Sequence, residues 1–106
     1  MRKKNIDRII FGHLNINSIR NKIHTLADIV SGNIDVLLIS ETKIDNTFPD
    51  NQFFLNGFGK PLRFDRNVNG GGLLLYVRQD IPCKQLQSLD KQIECITAEL
   101  RLGKSK

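Results

Sequence analysis

Three side chains that carry oxygen donors follow two apolar runs of this sequence. Asn15 and Asn17 come after the run at residues 8–14, and Glu41 comes after the run at residues 34–39. Carboxylate and amide oxygens are the ligands that a hard cation such as Mg²⁺ takes from proteins, with water and phosphate oxygens in its other positions. The residues therefore indicate part of a metal-dependent active site.

Two strands and a helix between them must position these side chains. Residues 8–14 predict a short strand, and the unbroken apolar run at 34–39 predicts a strand that is covered on both faces. A helix between two such strands makes a right-handed crossover, so the strands are parallel and their carboxyl ends meet at one edge of the sheet. Asn15, Asn17 and Glu41 should lie at that edge, which is where open α/β sheets place their sites.

The helix is predicted from residue 19 to residue 30. Apolar residues recur there at helical spacing, at Ile19, Ile23, Leu26, Ala27 and Val30. Asn17 or Ser18 is the expected N-cap, and Gly32 stands where a left-handed C-terminal cap is expected.

The second half of the chain is predicted as a long loop and two further strands. Residues 45–69 are rich in Asn, Asp, Gly and Pro and predict a loop with a short strand at 52–55. Residues 73–77 predict a strand that ends before Ile81 and Pro82. Residues 93–102 alternate between two faces and predict a half-buried final strand.

Composition limits the class of protein. The 106 residues suffice for one small domain or part of a larger one, and 40% hydrophobic with 25% charged residues is ordinary for a globular chain. The net charge of +5, with basic residues clustered near both ends, favours salt-sensitive contact with polyanions such as nucleic acid. A soluble surface with basic ends explains the same charge equally well.

Cysteine content and hydropathy predict an intracellular protein without a membrane segment. Cys83 and Cys95 form neither a metal-binding pair nor a disulfide framework, so a reducing compartment is expected, with both side chains buried. No apolar stretch approaches the roughly 20 residues that a membrane helix needs.

Three segments resemble the opening motifs of the endonuclease/exonuclease/phosphatase superfamily, and most closely the endonuclease domains of non-LTR (LINE-type) retrotransposons. They are LNINSIR at 14–20, DVLLISETK at 35–43 and GGGLLLYVR at 70–78. The resemblance runs roughly from residue 9 to residue 102. It implies an α/β fold, the first half of the four-layer DNase I-like sandwich, in a single truncated domain at 1–106. The inner face of its sheet would need the missing half of the domain, or another chain, to cover it.

The resemblance also assigns site residues. Glu41 would be a catalytic carboxylate that ligates Mg²⁺ or Mn²⁺, Asn15 would be a catalytic amide beside that ion, and Asn17 would lie near the metal. Lys43 and Arg20 would contact nucleic acid. DNA is the implied partner, and the nucleus is the implied place of action.

Plainer interpretations exist for the same residues. Glu41 is also typical of a loop or helix-start carboxylate. Asn15 and Asn17 are also typical of Asx turns and caps. Lys43 is equally compatible with a solvated position on the surface.

Later motifs of the superfamily have no matching positions here. These are a Tyr, an Asp-x-Asn pair, a further Asp and an Asp-His pair. Asp65-Arg66-Asn67 has the letters of the Asp-x-Asn motif but precedes the glycine-rich segment, so we interpret it as a turn. Neither His13 nor His24 matches the catalytic histidine, and we expect His24 on the solvated face of the helix. Because catalytic residues act as a unit, little or no hydrolysis is expected from this chain alone.

Three hypotheses follow from the sequence. The first is the N-terminal part of a Mg²⁺-dependent DNA endonuclease domain. The second is a non-catalytic nucleic-acid-binding or interaction module that retains the fold. The third is a member of the same superfamily that acts on another phosphodiester, in phosphoinositides, sphingomyelin or RNA ends, with the loop at 45–69 setting the choice.

Overall fold

The computed structural model describes residues 9–30, 34–86 and 94–101, and it shows a mixed α/β fold in that part of the chain. A four-stranded sheet, a helix, a 3₁₀ turn and a two-stranded sheet make up the described elements. In chain order they are β1 Phe11–Asn15, α1 Ile23–Val30, β2 Val36–Ser40, the 3₁₀ turn Asp50–Phe53, β3 Leu62–Phe64, β4 Leu73–Val77, β5 Cys83–Leu86 and β6 Thr97–Leu100.

The predicted strand, helix and strand unit is confirmed. β1 and β2 are parallel neighbours, with Asn15 opposite Ser40, so their carboxyl ends lie at one edge of the sheet. β4 is antiparallel to β2 and places Leu73 opposite Ser40. The order of the sheet is β1-β2-β4-β3. The beginning of β4 therefore meets the ends of β1 and β2.

One face of the sheet carries the main core and is called the helix face here. Alternate residues of β2 and β4 point to this face and pack against α1, whose Leu26 and Val30 are buried. Full burial of each large aliphatic side chain contributes roughly 1.5–3 kcal/mol, so this face dominates the stability. Its buried strand residues are Leu37, Ile39, Leu74 and Tyr76.

The opposite face of the sheet, called the open face here, is covered only at one end in the described part. Val36 and Val77 are buried there beside Ile81, and Leu100 of β6 packs against this cluster. Phe11 is on the same face and is 66% exposed. Leu100 thus covers this face around Val36 and Val77, and the expected need for another half-domain or chain to cover the rest stays a prediction.

The predicted start of the helix was wrong. Ile19 is buried, but α1 begins only at Ile23, because Asn17, Ser18 and Asn21 have left-handed backbones with φ values of 50°, 84° and 67°. Asn17 and Ser18 therefore cannot cap the helix, and the loop that holds them is fixed instead by Lys22, whose ammonium donates to the carbonyls of residues 16 and 17. The predicted cap at Gly32 lies outside the described residues.

The predicted strand at 52–55 was also wrong. A 3₁₀ turn occupies Asp50–Phe53, and Phe53 is buried below it. The hydroxyl of Tyr76 donates to the Phe53 carbonyl over 2.6 Å, which joins this turn to β4. Arg63, from β3, donates to the Asp50 carboxylate at 2.8 Å, and this hydrogen bond holds the pKa of Asp50 below its usual value.

Two further expectations concern the last part of the chain. The described part of the predicted final strand alternates as expected, with Glu94, Ile96, Ala98 and Leu100 half-buried and the residues between them exposed. Cys83 and Cys95 are both exposed, so the expectation of buried cysteines was wrong. Cys83 lies in β5, whose four residues are all exposed, and Cys95 points to the outer side of the alternation. Within the described residues, no helix is long and apolar enough to span a membrane.

Candidate functional site

Three loops meet at the edge where β1 and β2 end and β4 begins. Residues 15–20, 40–43 and 70–72 form this edge, which is called the site edge below. Backbone hydrogen bonds join the three loops directly. The Ser18 amide donates to the Glu41 carbonyl at 2.7 Å, and the Ile19 amide donates to the Thr42 carbonyl at 3.0 Å. The Lys43 amide donates to the Gly71 carbonyl at 2.9 Å. Positions far apart in the sequence are thus held in one fixed arrangement.

Glu41 is held by the glycine-rich loop. Its Oε1 accepts a hydrogen bond from the Gly71 amide at 3.3 Å, and its Oε2 makes no hydrogen bond to a described residue. The backbone of Glu41 is left-handed, with φ at 59°. A non-glycine residue in this conformation costs roughly 1–2 kcal/mol, so the surrounding hydrogen bonds must maintain it. The half-buried carboxylate therefore has one anchored oxygen and one available oxygen.

Asn15 lies next to Glu41 across the strand pair. The amide of Ile16 donates to the Ser40 carbonyl at 3.0 Å, so Asn15 and Glu41 flank a direct contact between the two strand ends. The Asn15 Oδ1 accepts from the Asn17 amide at 3.2 Å, which is the Asx turn that the plainer interpretation expected. A carbonyl oxygen has two lone pairs, so this exposed oxygen retains a second acceptor position.

Asn17 and Lys43 contact each other. The Lys43 ammonium donates to the Asn17 Oδ1, and both residues have left-handed backbones, with φ at 50° and 58°. Lys43 is half-buried and anchored, unlike a freely solvated lysine. The predicted metal role of Asn17 stays a prediction. In this structure its Oδ1 accepts a hydrogen bond from the Lys43 ammonium.

Arg20 is exposed at the rim of the site edge. Its Nε donates to the Ser18 hydroxyl at 3.2 Å, and its Nη2 donates to the Val68 carbonyl at 3.4 Å. The side chain is thereby fixed between the first loop and the loop that precedes the glycines. Its predicted contact with nucleic acid stays a prediction.

Glu94 is a site residue that the sequence interpretation missed. Its Oε2 accepts a hydrogen bond from the Gly72 amide, while Glu41 accepts from the preceding amide, that of Gly71. The two carboxylates therefore bind consecutive backbone amides. The signal that could have found Glu94 was its inward position in the alternating pattern of the last strand, because a carboxylate is seldom turned inward without a partner.

Gly72 permits the tight contact between the second and third loops. A Cβ atom added to Gly72 would lie 2.1 Å from the Thr42 Oγ1, and its φ is +101°. Thr42 is fully buried, and its Oγ1 has no hydrogen-bond partner among the described residues. Because Gly72 has no side chain, its backbone can lie directly against Thr42. This close approach positions the loop that carries Glu41 and Lys43.

Two side chains of the site edge carry oxygen donors of the type that a hard cation takes from proteins. Glu41 offers a free carboxylate oxygen and Asn15 an amide oxygen, whereas no described group of three or more His, Cys, Asp or Glu residues could enclose a metal. Mg²⁺ is commonly bound by one or two carboxylates together with water and substrate phosphates, so a sparse, open donor set suits it.

Other candidate motifs lie outside this arrangement. Asp65 pairs with Arg63 at 2.7 Å, and the Asn67 Oδ1 accepts from the Asn69 and Gly70 amides, so the interpretation of residues 65–67 as a turn is confirmed. His24 is exposed on α1, as expected.

No protein-family model matches this chain, and no curated protein matches its sequence. The relationship to the endonuclease/exonuclease/phosphatase superfamily therefore stays a prediction from the three sequence motifs.

Proposed function

We propose that this chain provides part of a metal-dependent phosphodiesterase site that acts on DNA. The observation that supports the proposal is that Glu41 and Asn15, which follow or end different strands, lie at the same edge of the sheet, beside the backbone hydrogen bond from Ile16 N to Ser40 O. We also propose that the four-stranded sheet and α1 are the first half of a DNase I-like sandwich and that the protein acts in the nucleus.

Each residue of the site edge has a proposed role. Glu41 and Asn15 hold a Mg²⁺ or Mn²⁺ ion, which supplies polarisation of the phosphoryl group when bound. The Gly71 amide orients the Glu41 carboxylate through Oε1. Lys43, fixed by Asn17, places a positive charge beside the phosphate and stabilises negative charge that develops on its oxygens.

Metal binding tests this proposal directly, because it does not depend on turnover. We expect the chain to bind Mn²⁺, measured by titration calorimetry and by electron paramagnetic resonance. Glu41→Gln removes the ligand charge and should weaken binding by at least about tenfold, since loss of even an outer-shell partner has an effect of that size. Glu99→Gln is the matched control, because Glu99 is exposed on β6.

Equal Mn²⁺ affinity in the wild-type chain and in Glu41→Gln would refute the proposed metal site. A nicking assay on supercoiled plasmid with Mg²⁺ or Mn²⁺ follows as a second measurement. We expect slow or undetectable nicking by the chain alone, and any metal-dependent nicking must disappear in Glu41→Gln.

A second candidate function is a non-catalytic nucleic-acid-binding module. It is favoured by the anchored cations Lys43 and Arg20 at the site edge. DNA binding that is salt-dependent and unchanged in Glu41→Gln, without any Mn²⁺ binding, would support this module over the phosphodiesterase.

A further inference from the structure

A tight hairpin turn at residues 66–70, closed by hydrogen bonds between Asn67 and Gly70, adjoins the site edge. Asn67 and Gly70 pair as an isolated bridge, and the Asn67 Oδ1 accepts from the Asn69 amide at 2.8 Å and from the Gly70 amide at 3.1 Å. The hairpin continues directly into Gly71, whose amide holds Glu41. Groups fixed on this hairpin are therefore fixed relative to the proposed metal ligand.

The side chain of Arg66 lies against Gly70 and Gly71 at the end of the hairpin. Its Nε donates to the Gly70 carbonyl at 3.3 Å. A Cβ atom on Gly71 would lie 2.4 Å from the Arg66 Nε and 2.6 Å from its Cζ, so the guanidinium occupies the space that the glycine leaves open. Its two terminal nitrogens make no hydrogen bond to a described residue, and the side chain is exposed.

Arg20 reaches the same hairpin from the first loop. Its Nη2 donates to the Val68 carbonyl, and its Nε is held by Ser18. Two guanidinium groups from distant parts of the sequence are thus anchored on one hairpin. In both, backbone or hydroxyl contacts fix the orientation and leave further N–H donors to solvent.

Neither of these two arginines forms an ion pair with a described carboxylate, although Asp45 is near enough to Arg20 for electrostatic attraction between them. No described acidic group lies within ion-pair distance of Arg20 or Arg66, whereas two arginines away from the site edge are paired. Arg63 binds Asp65 at 2.7 Å, and Arg78 binds Asp80 at 3.0 Å. Unpaired guanidiniums with a fixed orientation are suited to phosphate, because their planar donors match two phosphate oxygens at once.

We propose that Arg20 and Arg66 form a two-arginine subsite for the backbone phosphates of DNA on the hairpin at 66–70. The proposal rests on the proposed function in one respect, since it places the bound strand beside Glu41. The arginines are positioning residues that hold phosphates flanking the one at the metal ligand. They bind the charged phosphates of the DNA backbone and give no base specificity.

The salt dependence of DNA binding tests the subsite. Binding of a fluorescein-labelled DNA duplex is measured by anisotropy over a series of KCl concentrations, without divalent cations. Each phosphate contact contributes about 0.9 to the slope of log affinity against log salt, so Arg20→Ala and Arg66→Ala should each lower the slope by about one. Arg66→Lys keeps the charge but lacks the planar fork, so it should retain the slope and bind more weakly.

Arg101→Ala is the matched control. Arg101 is also exposed, but it follows β6, where its amide donates to the Pro82 carbonyl, away from the site edge. A slope that is unchanged in this variant and lowered in the other two supports the subsite. Equal slopes in all variants, an equal loss in Arg101→Ala, or no DNA binding by the wild-type chain would overturn it.

The same variants separate this inference from the proposed function. Loss of Mn²⁺ binding in Glu41→Gln with unchanged salt slopes in the arginine variants would retain the metal site and refute the subsite. Lowered slopes with no Mn²⁺ binding would retain the subsite and refute the phosphodiesterase. Circular dichroism confirms that each variant is folded before binding is measured.

Discussion

Glu41 combines an unfavourable backbone with an available carboxylate oxygen. Its φ of 59° is unfavourable for any residue with a side chain, and the Gly71 amide binds only one of its two oxygens. Left-handed non-glycine residues tend to collect at functional sites, where a required side chain outweighs the cost in folding free energy. The local strain at Glu41 is consistent with the proposed role of its side chain, which the following substitution tests.

Glu41→Gly should separate stability from metal binding. Glycine removes the cost of the left-handed backbone, roughly 1–2 kcal/mol, but loses about 0.5–1 kcal/mol to its greater freedom in the unfolded chain. We therefore expect a free energy of unfolding that is unchanged or raised by up to about 1.5 kcal/mol, together with loss of Mn²⁺ binding. Urea denaturation measures the first quantity and calorimetry the second.

Glu41→Gln is the comparison for that experiment, because it keeps the backbone cost and the hydrogen bond to Gly71. It should lose metal binding without a gain in stability. If Glu41→Gly instead lowered the free energy of unfolding by more than about 1 kcal/mol, the carboxylate would be serving the fold through its hydrogen bond.

The sequence predicted which residues lie at the site edge better than it predicted the contacts that these residues make. The sequence predicted that Asn15 and Glu41 would meet, because parallel strand ends share an edge. It could not predict that Lys43 would bind Asn17, since this contact depends on two left-handed loops. Glu94 was missed for a related reason, because its amide partner is brought near by the packing of the last strand.

At the scale of elements, the strands with an apolar run or a clear alternation were predicted correctly, whereas β3 and β5 were not predicted. β2 and β4 are continuous hydrophobic segments that are buried in the sheet, and both were expected. β3 has three residues and β5 is fully exposed, so neither has a pattern that distinguishes it from a loop. Periodicity reports burial, and for this reason the buried Ile19 was assigned to the helix although its backbone belongs to a loop.

The junction between the second loop and β4 depends on Gly72, and Gly72→Ala should be strongly destabilising. The left-handed backbone alone costs roughly 1–2 kcal/mol for alanine. The added Cβ would also lie 2.1 Å from the fully buried Thr42, which adds a packing cost of about 1–3 kcal/mol. Thermal unfolding followed by circular dichroism measures the sum.

Gly57→Ala is the matched control for this substitution. Gly57 has a φ of +92°, and nothing lies within 4 Å of its Cβ position, so only the backbone cost applies. We expect the Gly72 variant to lose clearly more stability than the Gly57 variant. Equal losses would mean that Thr42 moves aside and that the close packing of the two loops is not required.

At the scale of the whole molecule, the two faces of the sheet differ in what covers them. The helix face is closed by α1 and contains fully buried side chains such as Leu74. The open face is buried around Val36 and Val77 but leaves Phe11 largely exposed. Stability should therefore depend on the helix face, whereas the tendency to associate with other apolar surfaces should depend on the β1 end of the open face.

A pair of substitutions tests this difference between the faces. Leu74→Ala removes a buried side chain and should lower the free energy of unfolding by about 2–5 kcal/mol. Phe11→Thr keeps a residue that favours strands, and since Phe11 is 66% exposed it should change the free energy by no more than about 0.5 kcal/mol. Light scattering should show less self-association in Phe11→Thr at an unchanged melting temperature. A loss of stability in Phe11→Thr comparable with that in Leu74→Ala would contradict this, because it would mean that Phe11 is packed in solution and that the open face is covered at both ends.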